Sequence, residues 1–370
     1  MKILALTKYS YSGPSSRYRF YNYQKCFSQQ GIELQIKPFF SDSYLQKNGF
    51  LRKLPEVFFS YLKRKLLCLK ILLFPKQYSV LLLEYELFPY FPALFERLLN
   101  WRKIKYIVDY DDAIFHKYDS HRNSLVRLLL KNKISRVMQL ADTVIVGNQY
   151  LAEYAKKQNN KVIIFPTVVL LEKYENAAKK SINKESDNFI IGWIGSKSTS
   201  KYILEILPEI KEFSGKYKNV EFHLIGFDKS LLSEEDIMEY KINIVTWSEE
   251  TEIEEIMKFD IGIMPLTDDP WSRGKCGFKL IQYMSCGKPV VASPVGENVN
   301  IVTQYENGFL ATSKNDWMNA FENLLNDKVL YSRIAENNRQ KIRTHYNFEQ
   351  ICMEYQQLLN ELMKTTGNSY

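Results

Sequence analysis

Short apolar runs alternate with amphipathic stretches along the whole chain. Runs at 2–7, 32–36, 79–83, 105–108, 143–146 and 162–167 have the length of buried strands, and polar residues punctuate them. Helical patterns lie between them at 14–31, 92–101, 122–140 and 150–157. Pro14 stands near the start of the first helix and Gly31 at its end, the order that helix termini favour. Residues 172–187 are polar and charged with no apolar period, which marks a linker. The alternation then restarts. Strands are expected at 189–196, 220–225, 242–245, 260–266 and 290–292, and helices at 202–213, 278–284, 316–325 and 348–363. Strand–helix alternation predicts doubly wound parallel sheets, and 370 residues predict two domains.

Chemistry-bearing residues fall where these elements meet. Gly274 and Gly277 precede the helix at 278–284, Gly287 caps its end, and Pro289 forbids continuation. Free N–H groups at a helix start favour an anion, and Arg273, Lys275 and Lys279 place three cations around that point. The competing reading is an ordinary loop, helix and strand with solvated charges. Gly195 and Ser196, followed by hydroxyls and Lys201, form a second candidate phosphate cradle or a plain capped turn. Asp109, Asp111 and Asp112 follow a strand, where open sheets place their sites. They suit a base, a metal ion or sugar hydroxyls, and Asp112 suits a helix N-cap equally. The first βα loop, 9–16, lacks Gly-x-Gly-x-x-Gly and so does not argue for a dinucleotide.

The net charge of +8 matters mainly for where it sits. Between 47 and 76 lie Lys47, Arg52, Lys53, Lys63, Arg64, Lys65, Lys70 and Lys76 against Glu56 alone, mixed with many Leu and Phe. Such a helix fits an anionic membrane surface, or else a half-buried helix whose lysines reach out to water. No nucleic-acid motif accompanies the charge. Five scattered cysteines without Cys-x-x-Cys argue for a reducing compartment and against a disulfide framework or zinc site. Four unpaired histidines give no metal signature. No apolar run reaches transmembrane length, and residues 1–6 read as a strand rather than a signal peptide. The expected location is cytoplasmic, with peripheral attachment to the inner membrane face.

Residues 287–291 read Gly-Lys-Pro-Val-Val, and residues 279–284 read Lys-Leu-Ile-Gln-Tyr-Met. Both segments resemble the glycosyltransferase family 4 enzymes, whose Glu-x7-Glu element precedes such a strand. Here Gly274 and Gln282 replace both glutamates. The resemblance implies a GT-B fold: an α/β chain of two doubly wound, Rossmann-like domains facing across a cleft. Residues 1–171 then form the acceptor domain, 172–187 the linker, 188–346 the donor domain and 347–370 a helix returning to the first domain. The implied activity is sugar transfer from a nucleotide-diphosphate donor to a glycan, lipid-linked or other acceptor, retaining and without metal or other cofactor. The implied donor site is Gly195, Ser196, Lys201, Arg273, Lys275, Lys279 and Gln282. The loop of Gly13, Ser15, Ser16 and Arg17, with Asp112, faces the cleft. Asp111 stands where the family often has histidine, and is the catalytic candidate. An inactive nucleotide-sugar-binding protein and a membrane-associated assembly protein of a polysaccharide pathway are the alternatives.

Overall fold

β1 (Lys2–Tyr9), β2 (Glu33–Phe40), β3 (Val80–Glu84), β4 (Tyr106–Tyr110), β5 (Thr143–Val146) and β6 (Val162–Ile164) form one parallel sheet. Its order is β2-β1-β3-β4-β5-β6. β3, β4 and β5 are buried along their whole length, as strands covered on both faces must be. Right-handed crossovers set those covers. The β1 to β2 connection runs one way and every later one runs the other. Helix Tyr23–Gln29 therefore lies on one face, and helices Phe50–Leu73, Leu94–Trp101, Lys133–Leu140 and Gln149–Lys156 on the other.

A second sheet holds β7 (Phe189–Ile194), β8 (Val220–Ile225), β9 (Ile242–Val245), β10 (Ile261–Met264), β11 (Val290–Ala292) and β12 (Gly308–Leu310). It is also parallel, with the order β12-β11-β10-β7-β8-β9. Counted from its own first strand, this is the dinucleotide-fold order 3-2-1-4-5-6 read from the other edge. Trp193, Phe213, Phe222 and Phe321 anchor a core on one side of it.

The computed structural model describes residues 1–46, 50–180 and 188–367. The chain divides into two units, Met1–Thr167 with Glu349–Tyr370, and Val168–Phe348. Lys47 of the basic segment, residues 181–187 of the expected linker and the last three residues lie outside the described residues. The first part of that linker is helical, Leu171–Lys180.

Three expected helices are broken. The first splits into Pro14–Ser16, a π-helical turn Arg17–Tyr21, and Tyr23–Gln29. The helix expected over 122–140 becomes Ser124–Leu130 and Lys133–Leu140. The one over 202–213 breaks between Lys201–Leu204 and Leu207–Lys216, because Pro208 has no N–H and its ring would strike the carbonyl four residues earlier. The cysteines also correct an expectation. Cys26 is joined to Cys352 with their Cα atoms 6.7 Å apart, fastening helix Phe348–Gly367 to helix Tyr23–Gln29 within the first unit. A separation of 326 residues conceals that pair in the sequence. Tyr355 packs beside it against Tyr23, Phe27 and Phe165.

Candidate functional site

Open parallel sheets bind ligands beyond the strand carboxyl ends, where the strand order reverses. In the second unit that point lies between β7 and β10. These strands pair at Ile191–Ile261 and Gly192–Gly262. Beyond, the Tyr283 hydroxyl fills the gap. It accepts from the Ile194 N–H at 2.9 Å and donates to the Ile263 carbonyl at 3.3 Å. A Cβ at Gly262 would stand 2.2 Å from the Tyr283 ring, so glycine is what lets the ring approach. Tyr283 belongs to helix Phe278–Ser285, which follows Gly277 at φ +65°. The helix start is thereby fixed beside the ends of both strands.

The predicted donor residues divide into two groups. Lys201 lies 5.1 Å and Lys275 6.0 Å from the centre of the Tyr202 ring. Lys279 lies 4.5 Å from the Trp193 ring. Lys201 and Lys279 form no ion pair among the described residues. Burial, and then the like charge of Lys275, push Lys279 down to about 7. The Tyr202 hydroxyl meets the Ser272 hydroxyl at 3.0 Å, and Asp269 caps that turn through the Ser272 N–H at 2.8 Å. The structure thus gathers Lys201, Lys275 and Lys279 around two aromatic rings. Arg273 is engaged differently. Its fork holds Asp268 at 2.6 and 3.0 Å. Gly195 and Ser196 form a capped turn: the Ser196 N–H donates to Thr199 Oγ1 at 3.0 Å, and Ser196 O accepts from Ser200 Oγ at 3.3 Å. Gln282 is buried, yet its amide has no hydrogen-bond partner among the described residues.

In the first unit the order reverses between β1 and β3. Glu84 ends β3 and is buried. Its Oε2 accepts from the Lys8 N–H at 2.8 Å and from Ser16 Oγ at 2.6 Å, while Oε1 is buried with no hydrogen-bond partner. Burial lifts this carboxyl to about 7 against those two hydrogen bonds. The next residue, Tyr85, is buried at φ +65°, and its hydroxyl donates to Asp111. A non-glycine residue in that region stores backbone strain, which clusters at functional sites. Gly13 is the N-cap of Pro14–Ser16, Ser15 is half-buried, and Arg17 is buried 5.0 Å from the Tyr18 ring.

The acidic run after β4 is not one constellation. Asp109 lies inside the strand and is gripped by Arg19 at 2.9 and 2.8 Å. Burial opposes charge on both groups: Asp109 holds the Arg19 guanidinium above its ordinary value, while burial raises the Asp109 carboxyl against the pull of Arg19. Asp109 is therefore a structural acid. Asp111 and Asp112 are half-buried, and the following helix begins at Phe115 without a side-chain cap, so Asp112 does not cap it. Among the described residues no group of three or more His, Cys, Asp or Glu is placed to hold a metal ion. Glu84, Trp193, Tyr202 and Tyr283 went unrecognised in the sequence as site residues. Glu84 closes a predicted strand, which was the available signal.

Residues 188–327 match the family model described as glycosyl transferases group 1. The chain is 25% identical over 289 residues to an uncharacterized glycosyltransferase of Methanocaldococcus jannaschii, covering 72% of this chain and 80% of that protein. It is 26% identical over 198 residues to the capsular polysaccharide biosynthesis glycosyltransferase CapM of Staphylococcus aureus, covering 52% of this chain and 50% of that protein. The chain thus spans about half the length of CapM. Among solved structures it resembles sucrose-phosphate synthase from Thermosynechococcus elongatus, with TM-score 0.72, 16% identity, and 99% and 100% of the two chains covered. It also resembles Anabaena HepE in complex with UDP, with TM-score 0.65, 15% identity, and 98% and 100% covered. At such identities the structural likeness speaks for the fold.

Proposed function

We propose that the chain, which has the GT-B fold and matches the glycosyl transferases group 1 model over residues 188–327, is a glycosyltransferase that moves a sugar from a nucleoside-diphosphate sugar to a glycan or lipid-linked acceptor. The observation that carries this reading is the gathering of Lys201, Lys275 and Lys279 at the carboxyl ends of β7 and β10. Breaking the bond between the sugar C1 and the diphosphate oxygen leaves negative charge on the diphosphate. Fixed ammonium groups stabilise that charge most when water is excluded. The acceptor oxygen bonds to C1, and its proton passes to the departing diphosphate. We read the transfer as retaining and metal-independent. The second unit takes the donor, with Gln282 on the ribose, and the first takes the acceptor beside Glu84 and Asp111.

We place the acceptor at an anionic membrane surface. Helix Phe50–Leu73 buries Ser60, Arg64, Cys68 and Ile71 and exposes Phe58, Phe59, Leu62, Leu66, Leu69 and Leu73 among exposed Lys63, Lys65 and Lys70. Its apolar residues lie largely outside the core, which supports a membrane surface over a half-buried helix alone. A polysaccharide pathway on the inner membrane face is the setting that fits.

The test is a panel of nucleoside-diphosphate sugars read by thermal shift, since a ligand of the native state raises the melting temperature. Release of the nucleotide is then followed with lipid-linked acceptors present. The absence of any donor-dependent shift overturns the proposal. Binding without turnover would favour the inactive reading, which rests on Gly274 and Gln282 standing in place of two acids.

A further inference from the structure

Next to the basic helix lies a second unpartnered surface. Helix Leu94–Trp101 packs against both Phe50–Leu73 and Lys133–Leu140, so all three belong to the same face of the first sheet. Trp101 is 74% exposed, and Leu94 and Leu98 are exposed beside it. The neighbouring helix Ser124–Leu130 exposes Leu125, Leu128 and Leu129, at 63%, 70% and 74%. Residues 120–141 contain Arg122, Arg127, Lys131, Lys133 and Arg136 and no Asp or Glu. Leucines this exposed, without one acid among them, face something apolar that carries negative charge.

Between these helices runs a groove of about 590 Å³, lined among others by Leu94, Arg97, Leu129, Asn132, Ser135 and Arg136. Among the described residues its two arginines hold no carboxylate. The Arg97 guanidinium has no partner among the described residues. Arg136 donates from Nη1 to Gln139 Oε1 at 2.6 Å, and its Nε is buried with no hydrogen-bond partner. Lys133, at the groove floor, is already held by Glu86. A buried donor left unpaired costs free energy that an incoming acceptor recovers. Guanidinium forks match the oxygens of a phosphate better than single ammonium groups do.

We infer that this groove is a headgroup site for an anionic phospholipid. The phosphodiester lies between Arg97 and Arg136, and the acyl chains lie along Leu125, Leu128 and Leu129. The helix Phe50–Leu73 supplies general attraction to the bilayer, and the groove supplies a saturable site. This inference rests on the membrane placement proposed above.

The experiment is calorimetric titration of the full chain with dihexanoyl phosphatidylglycerol below its micelle concentration. The matching phosphatidylcholine and glycerol 3-phosphate form the other arms. Saturable binding of the phosphatidylglycerol is expected, at least tenfold tighter than either alternative. Arg97→Gln with Arg136→Gln should weaken it at least tenfold. Lys63→Gln, Lys65→Gln and Lys70→Gln together should leave it intact while lowering retention on anionic vesicles. Melting curves and donor binding confirm that each variant is folded. Unchanged lipid binding in the double arginine variant overturns the site. Equal affinity for glycerol 3-phosphate overturns the lipid assignment, because it would mark a site for soluble phosphate. Retention of the parent chain that is equal on neutral and anionic vesicles defeats the membrane placement, whatever the titration gives. Loss of donor binding in the parent defeats the glycosyl-transfer reading and leaves the groove result standing.

Discussion

The Lys279 ammonium stands 4.5 Å from the centre of the Trp193 ring, with Lys275 close enough to depress its pKa. The ring face attracts the cation, while burial and the neighbouring charge work against it. An arriving diphosphate reverses that balance. Lys279→Ala should therefore weaken nucleoside-diphosphate binding by ~2 kcal/mol, as expected for a charge-assisted contact. Calorimetry with the nucleotide measures it, and equal affinity of parent and variant removes Lys279 from the site.

The same residue sets a pH dependence. Free Lys279 titrates at about 7, so above that pH it is mostly neutral and must take up a proton to meet the phosphates. Affinity should fall as pH rises from 7 to 9, and titrations in buffers of different ionisation enthalpy should reveal proton uptake at pH 8. Lys279→Ala should lose that uptake. Stability without ligand runs the other way. Between about 7 and the ordinary value of 10.5 the unfolded chain binds the extra proton, so this residue's contribution to stability rises with pH.

Lys275 and Lys279 were legible together and Lys201 as part of a second cradle, because glycine and lysine at helix starts carry a local signal; that Lys201 and Lys275 share the Tyr202 ring was not. Arg273 was legible too, but not its diversion to Asp268, five residues away on the same turn. Both sheets could be anticipated from alternation alone. The importance of Glu84 could not, because it depends on β1 and β3 becoming neighbours across the strand-order reversal. Asp109 misled for a similar reason. Its partner Arg19 is 90 residues away in sequence, and nothing local distinguishes a strand-embedded structural acid from a loop acid.

Glu84 should leave a mark on stability. Its carboxyl is raised from 4.5 to about 7, so the native state holds a proton that the unfolded chain has lost. Stability contributed here is present below pH 4.5 and is lost as pH rises to about 7, by an amount on the order of 3 kcal/mol. Glu84→Gln keeps an acceptor for the Lys8 N–H and Ser16 and cannot ionise. Urea unfolding from pH 5 to 8 should show the parent losing stability relative to the variant. Parallel profiles would mean that Glu84 is ionised throughout.

Tyr283 ties the two central strands of the second unit at their carboxyl ends. Tyr283→Phe keeps the ring over Gly262 and strands the buried Ile194 N–H. The expected loss is ~1–3 kcal/mol of stability, the cost of an unsatisfied buried donor. Donor affinity should fall with it, because that bridge fixes helix Phe278–Ser285 beside the strand ends. A denaturation midpoint equal to the parent's, at equal slope, would show that water replaces the hydroxyl at no cost.

Gln282 lies one turn beyond Lys279, at the spacing that puts both side chains on one face of the helix. It is 4% exposed, and its amide has no partner among the described residues. That is the condition of a group awaiting a ligand rather than of one satisfied by the core. As an amide it offers one carbonyl acceptor and a donor to ribose hydroxyls. It also keeps a second negative charge away from the diphosphate. Gln282→Glu should leave donor binding within roughly tenfold, about 1.4 kcal/mol. A carboxylate one turn from Lys279 should at the same time raise the ammonium's pKa, so proton uptake on binding at pH 8 should shrink. Gln282→Leu should damage binding more, by leaving ribose hydroxyls unpaired in a water-poor site. If the leucine variant binds donor as tightly as the parent, Gln282 faces the core, and the ribose contact must come from another residue of the second unit.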